Sequence, residues 1–172
     1  MPIPVTRGPM IGRCNICGAT GKLTEDHTPP KGCIRPTDML MHHVIDRLGA
    51  DKPKTGRISQ NGVKYRSLCT RCNSHYLGTE YDPALIDFSR RVAQVLESPL
   101  ALPRTVAIPG NPRRIMRSVW GHLAAQGIGR YLKGPQTDAW RECFLDPTLP
   151  LPENTHFYYW IYPYRRVALM KD

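Results

Sequence analysis

The sequence predicts an α+β protein: a small strand-and-helix region near the N-terminus, then a mainly helical half that ends in a β-hairpin. Three observations carry that expectation. Two C-x-x-C pairs, Cys14-Asn15-Ile16-Cys17 and Cys69-Thr70-Arg71-Cys72, stand 51 residues apart. Runs rich in β-formers lead into the second pair and close the chain. Between them, residues 83–132 place apolar side chains at helical spacing. With 172 residues, 41% of them apolar, the chain suits one compact unit with a real core, and its 17 prolines favour short elements.

The first elements are built around cysteine. Two residues between thiolates allow a tight turn to present both sulfurs to one ion, and two such turns complete a tetrahedron. Gly18 supplies backbone freedom after the first pair. Zinc on Cys14, Cys17, Cys69 and Cys72 is therefore expected. Its role is structural, because four thiolates leave no open position for water or substrate. Cys33 and Cys143 read as free thiols in apolar surroundings. Leu23 to His27 reads as a short strand ended by Pro29-Pro30, neither of which can donate to a ladder. Thr37 or Asp38 then caps a helix through about Leu48, with Gly49 stopping it. Residues 51–62 form a polar, basic loop, Val63 to Leu68 a second strand, and a short helix starts near Asn73.

The second half follows helical punctuation. Asp82 caps a helix with Pro83 at its first position, running to about Glu97 with Leu85, Phe88, Val92 and Leu96 on one face. Pro112 to Leu132 carries a second apolar stripe, from Ile115/Met116 through Val119/Trp120 to Leu123/Ala124. Gly121, Gly127 and Gly129 weaken its C-terminal half. A short helix spans Asp138 to Phe144. Phe157 to Tyr162 and Arg166 to Met170 read as the two strands of a terminal hairpin. Two regions result, 1–82 and 83–172, packed as one unit.

The formal net charge of +10 is unevenly placed. Residues 51–72 carry Lys52, Lys54, Arg57, Lys64, Arg66 and Arg71 against Asp51 alone, and residues 98–137 hold six cations and no acid, including Arg113, Arg114 and Arg117. Such strips, with Lys31, suit a polyanion backbone. No apolar run reaches the roughly 18 residues of a membrane span. Nor does the N-terminus read as a signal peptide, so a cytoplasmic location is expected.

In order, the chain runs knuckle, strand ending in Asp-His, second strand, knuckle, helix. On the segments C-N-I-C-G, L-T-E-D-H-T-P-P-K-G and L-C-T-R-C-N-S-H-Y-L-G, residues 14–82 resemble the HNH endonucleases stapled by a four-cysteine zinc, over about two fifths of the chain. The resemblance implies a ββα-metal core that hydrolyses DNA phosphodiester bonds with one divalent ion, Mg²⁺ or another. It makes His27 the general base, Asp26 a metal ligand and Asn73 the helix ligand, with His75 an alternative. Adjacent strand residues face opposite ways, so a bend or bulge must bring Asp26 and His27 to one site. The chain departs from the pattern at the middle asparagine, where Lys64, Tyr65, Arg66 and Ser67 stand and Asn61 is the nearest amide.

Each of these residues has a plainer use. Asp26-His27 suits a hydrogen-bonded turn, Asn73 a helix N-cap, and His75 a helix surface. The expected partner is duplex or nicked DNA with little sequence preference, through Lys31 and the two basic strips. A zinc-stapled binding or assembly module with a degenerate site is the alternative. A partner protein or a second copy at the basic face is compatible with both.

Overall fold

The computed structural model describes residues 6–33, 39–43, 57–59, 62–153, 155–158 and 168–171. Among the described residues there are two three-stranded sheets and four helical segments. The first sheet has the order β1-β2-β5, from Ile11–Arg13, Thr20–Thr28 and Val63–Cys69, all antiparallel. The second, β4-β3-β6, joins Arg57–Ser59, Met39–His43 and Ala168–Lys171, with β3 and β6 parallel. Helices follow at α1 (Arg71–Tyr81), α2 (Asp82–Leu96), α3 (Pro112–Ala125) and α4 (Pro135–Leu145).

The second sheet corrects three expectations. Met39–His43 is strand where a helix from Thr37 or Asp38 was expected, and Arg57–Ser59 is strand inside the expected loop. β6 pairs in parallel with β3, not back onto a neighbouring strand, and residues 157–158 carry no strand. The reason is long-range pairing. Met39–His43 meets partners about 20 and about 130 residues away, and local periodicity carries no trace of such ladders. The rest of the expected helix and most of the expected hairpin lie outside the described residues.

The helical expectations change at their boundaries. α1 has wide, i→i+5 turns, and it runs into α2 without a break: the Asp82 N–H donates to the Leu77 carbonyl, five residues back. Buried side chains recur at Cys72, Tyr76, Leu77 and Tyr81, a spacing of four to five that wide turns align. Pro83 lacks the N–H an α-helical interior would need, and the change of helical type occurs at its doorstep. Asp82 therefore caps nothing, and its carboxylate is free for other partners. α3 is capped by Asn111, whose side chain accepts from the Arg114 N–H at 3.2 Å. It stops at Ala125 instead of Leu132, because Gly127 (φ 90°) and Gly129 (φ 66°) turn left-handed. α4 spans Pro135–Leu145, slightly longer than expected.

One core joins the two halves of the chain. Cys14, Ile16, Leu23, Leu68 and Cys72 pack with Tyr76, Leu77, Tyr81, Ala125 and Phe144. Asn15, between the first two cysteines, donates to the Ala124 and Gly127 carbonyls at 3.0 and 2.9 Å and accepts from the Arg130 N–H at 3.0 Å. It thus satisfies carbonyls that the end of α3 leaves open. Ser67 on β5 donates to the Ala125 carbonyl at 2.6 Å. Gly121 lets α3 approach this core, since a Cβ there would stand 2.6 Å from Leu77 and 2.7 Å from Phe144.

Candidate metal centre and strand-end site

The first site is the sulfur cluster. Each C-x-x-C pair sits where a strand meets a turn: the Cys14 N–H donates to the Ala19 carbonyl and the Gly18 N–H to the Cys14 carbonyl, at 2.9 and 3.0 Å. Gly18 takes φ 73°, and a side chain there would collide with the Tyr131 ring. The second pair straddles the end of β5 and the start of α1. All four sulfurs lie within 4.8 Å of one another, with Cys17 and Cys69 3.7 Å apart. A tetrahedron of Zn–S bonds near 2.3 Å has sulfur–sulfur edges of about 3.8 Å. The four thiols could therefore hold a metal ion, and an all-sulfur set suits zinc. The crowding itself splits the thiols: a hydrogen bond between Cys72 and Cys14 lowers the Cys14 pKa and raises that of Cys72.

The second site is the far end of β2. Side chains alternate along it, with Asp26 and Thr28 buried and His27 between them half-buried. A register shift lies between Thr24 and Glu25, so it does not fall between Asp26 and His27, which keep to opposite faces. His27 pairs in register with Lys64 on β5. Burial, then the Lys64 charge, pushes its pKa below the usual histidine value, with Lys31 adding to this while Asp26 and Glu25 pull the other way.

Asp26 turns inward to a network that the sequence did not announce. Its Oδ2 is 2.8 Å from His122 Nδ1, and His122 Nε2 is 2.9 Å from Asp82 Oδ1. Ser118 donates to the same Asp82 oxygen at 2.6 Å. Asp26 is 4% exposed and so is His122. Burial opposes a charge on the imidazole, but the two carboxylates outweigh it and lift the His122 pKa to about 9. An imidazolium donates from both nitrogens, which matches two acceptors on opposite sides of the ring. The same geometry keeps one ion from binding both carboxylates and the ring. Ser118 and His122 lie four residues apart on α3, on the buried face that also carries Arg117, Gly121 and Ala125.

The other expected site residues fall as follows. Asn73 is half-buried near the start of α1, and its amide donates to Thr24 Oγ1 and the Glu25 carbonyl at 2.9 and 3.0 Å, bracing β2. His75 is exposed, its ring 5.2 Å from that of Tyr76. Thus Asp26 and Asn73 both engage β2, Asp26 from within it and Asn73 from α1, while His75 stands apart. Two hydroxyls on the buried face of β2 and β5, Thr28 Oγ1 and Tyr65 Oη, have no hydrogen-bond partner among the described residues. Tyr65 lies directly across from Asp26, and Thr28 follows it on the same face. Asp26 and Thr28 thus place a carboxylate and an unsatisfied hydroxyl on one face of β2, oxygen chemistry of the kind a hard divalent cation takes, while Asn73 meets β2 at Thr24 and Glu25.

Of the expected phosphate contacts, Lys31 and Arg71 are exposed and Lys64 is half-buried. Arg66 is spent on Glu25 at 2.8 Å, and Arg71 donates to the Tyr76 hydroxyl at 3.0 Å. Arg113 and Arg114 are exposed, Arg113 reaching the Leu149 carbonyl and Arg114 lying 3.7 Å from Glu80. Arg117 does not belong with them. It is 1% exposed, and its guanidinium donates to the carbonyls of Cys143, Arg113, Pro147 and Leu149. The buried face of α3 is not the expected stripe but Arg117, Ser118, Gly121, His122 and Ala125, with Leu123 exposed, and from it Arg117 ties α3 to the turn after α4. Lys52, Lys54 and the Arg57 side chain lie outside the described residues.

Among the described residues, no helix is long and apolar enough to cross a membrane. Comparison with protein-family models, with curated proteins and with solved structures yields no match for this chain.

Proposed function

We propose that the chain is an HNH-type endonuclease, in which a zinc-stapled ββα-metal core hydrolyses DNA phosphodiester bonds. One observation carries this reading: β2, which bears Asp26-His27 just before its end at Thr28, pairs with β5, and β5 leads through the second thiol pair into a helix whose Asn73 reaches back to β2. The order of strand, strand and helix above the sulfur cluster supports it, with Asn73 meeting β2 at Thr24 and Glu25, just before the dipeptide. Asp26 and His27 face opposite sides of β2, so both must reach one phosphate at the strand end. Asp26, Asn73 and the Thr28 hydroxyl are the residues that would hold a divalent ion such as Mg²⁺. The chemistry such an ion supplies when bound is charge stabilisation at the scissile phosphate. His27 is the group to accept a proton from the attacking water, since an imidazole is suited to that transfer near neutral pH. Lys64 and Lys31 beside it would orient the phosphate backbone without reading bases, which gives weak sequence preference. Zinc at the four cysteines fixes where the strand ends relative to the helix. Reduced thiols agree with a cytoplasmic setting.

A second reading rests on a specific observation. Asp26 is buried against His122 and the Asn73 amide is occupied by β2, an arrangement that also serves a binding module without turnover. Supercoiled plasmid incubated with zinc-loaded protein and Mg²⁺ or Mn²⁺ separates the two. The nuclease reading expects nicking that His27→Ala reduces at least about 100-fold. Wild-type protein that binds plasmid but leaves it intact would establish the binding module instead.

A further inference from the structure

The C-terminal half supplies a residue to the strand-end site. We propose that His122 is a positioning residue for Asp26, fixing its carboxylate so that the remaining oxygen is aimed for the divalent ion. This rests on the nuclease reading above, in which Asp26 is a ligand.

The geometry carries the argument. Asp26 comes from β2 and His122 from α3, 96 residues later, yet they meet at 2.8 Å with both side chains 5% exposed. The ring is itself held at its far nitrogen by Asp82, which Ser118 fixes in turn at 2.6 Å. No rotation of the Asp26 carboxylate is possible without breaking a buried charge-assisted hydrogen bond. Ligating carboxylates and histidines characteristically owe their orientation to such outer partners, and losing one weakens metal affinity by about 10- to 100-fold. A link needed only for packing would not require a chain of three groups ending on Asp26, since α3 already contacts the sheet through Ser67 and the Ala125 carbonyl. The arrangement also gives the acid-free second basic window a second task, because its own helix holds the carboxylate of the first region.

The test measures Mn²⁺ binding to the full-length zinc-loaded chain, by calorimetry and by loss of the free Mn²⁺ resonance, without nucleic acid. Asp26→Asn is expected to abolish binding. His122→Leu is expected to weaken it about 10- to 100-fold with zinc content unchanged, and His122→Asn, which keeps a donor toward Asp26, to recover part of the loss. If His122→Leu does not fold, Asp82→Asn reads the same chain and is expected to weaken Mn²⁺ binding less, in the same direction. Loss of binding in Asp26→Asn, with affinity unchanged in the folded His122 and Asp82 variants, overturns the positioning role and leaves the nuclease reading standing. Wild-type protein that binds no Mn²⁺, or an Asp26→Asn variant that binds it normally, overturns both.

Discussion

Raising the pH should loosen the joint between the two halves of the chain, and His122 sets where. Its pKa is about 9 in the folded protein against an ordinary 6.5. A group whose pKa is raised on folding stabilises fully below its unfolded value, and that contribution is lost as pH rises through the folded value. The window therefore opens near pH 6.5 and closes near pH 9. The difference of about 2.5 units, at about 1.4 kcal/mol each, corresponds to about 3 kcal/mol for this buried ring. In a chain of this size that is a fall in Tm of about 6–12 °C. Calorimetry on zinc-loaded protein between pH 6 and 9.5, with no other divalent ion, measures it. Zinc–thiolate bonds strengthen as pH rises and so oppose the trend, which makes His122→Gln the required reference. The wild type should lose its advantage over that variant across the window. Parallel Tm curves for the two proteins would refute the account of a doubly clamped imidazolium.

Three other expectations concern stability and binding. Gly121→Ala should cost about 1–3 kcal/mol in thermal unfolding despite its better helix propensity, because the new methyl overlaps Leu77 and Phe144. Arg117→Met should destabilise by about 3 kcal/mol, as it leaves the buried carbonyls that Arg117 serves without a donor. In DNA titrations at several salt concentrations, that same variant should keep the wild-type salt dependence, whereas Arg114→Ala should lower the slope by about one.

How much of this was legible in the sequence depends on how local the cause is. The C-x-x-C spacing placed four sulfurs within reach of one ion, because each turn is set by its own few residues. The β2 and β5 strands and the existence of the helices after Tyr81 followed from β-formers, prolines and helical spacing, but the helix faces did not. α2 buries none of its stripe fully, and α3 buries Arg117, Ser118, Gly121, His122 and Ala125 while Leu123 is exposed. Met39–His43 failed because its partners lie far along the chain, and five residues of Met, Leu and His fit either period. Asp82 failed for a subtler reason. Asp-Pro is a strong start signal, but the wide turns of α1 carried the helix through it and released the carboxylate to His122. The candidate site was half legible. Asp26 and His27 stood out as a dipeptide, while the tie to Ser118, His122 and Asp82 needs three separate elements brought together, which no window of sequence displays. Arg117 shows the same limit, since charge counting treats every arginine as surface.

The metal that Cys14, Cys17, Cys69 and Cys72 could hold is the most direct test of the zinc-stapled core. Native mass spectrometry of the chain, purified without added metal, should find a single zinc, with that zinc lost in Cys14→Ser and Cys72→Ser. After denaturation in chelator all six cysteines should titrate as thiols, consistent with their unbridged state. A folded chain that carries no zinc, or one whose C-x-x-C pairs are disulfides, would contradict it.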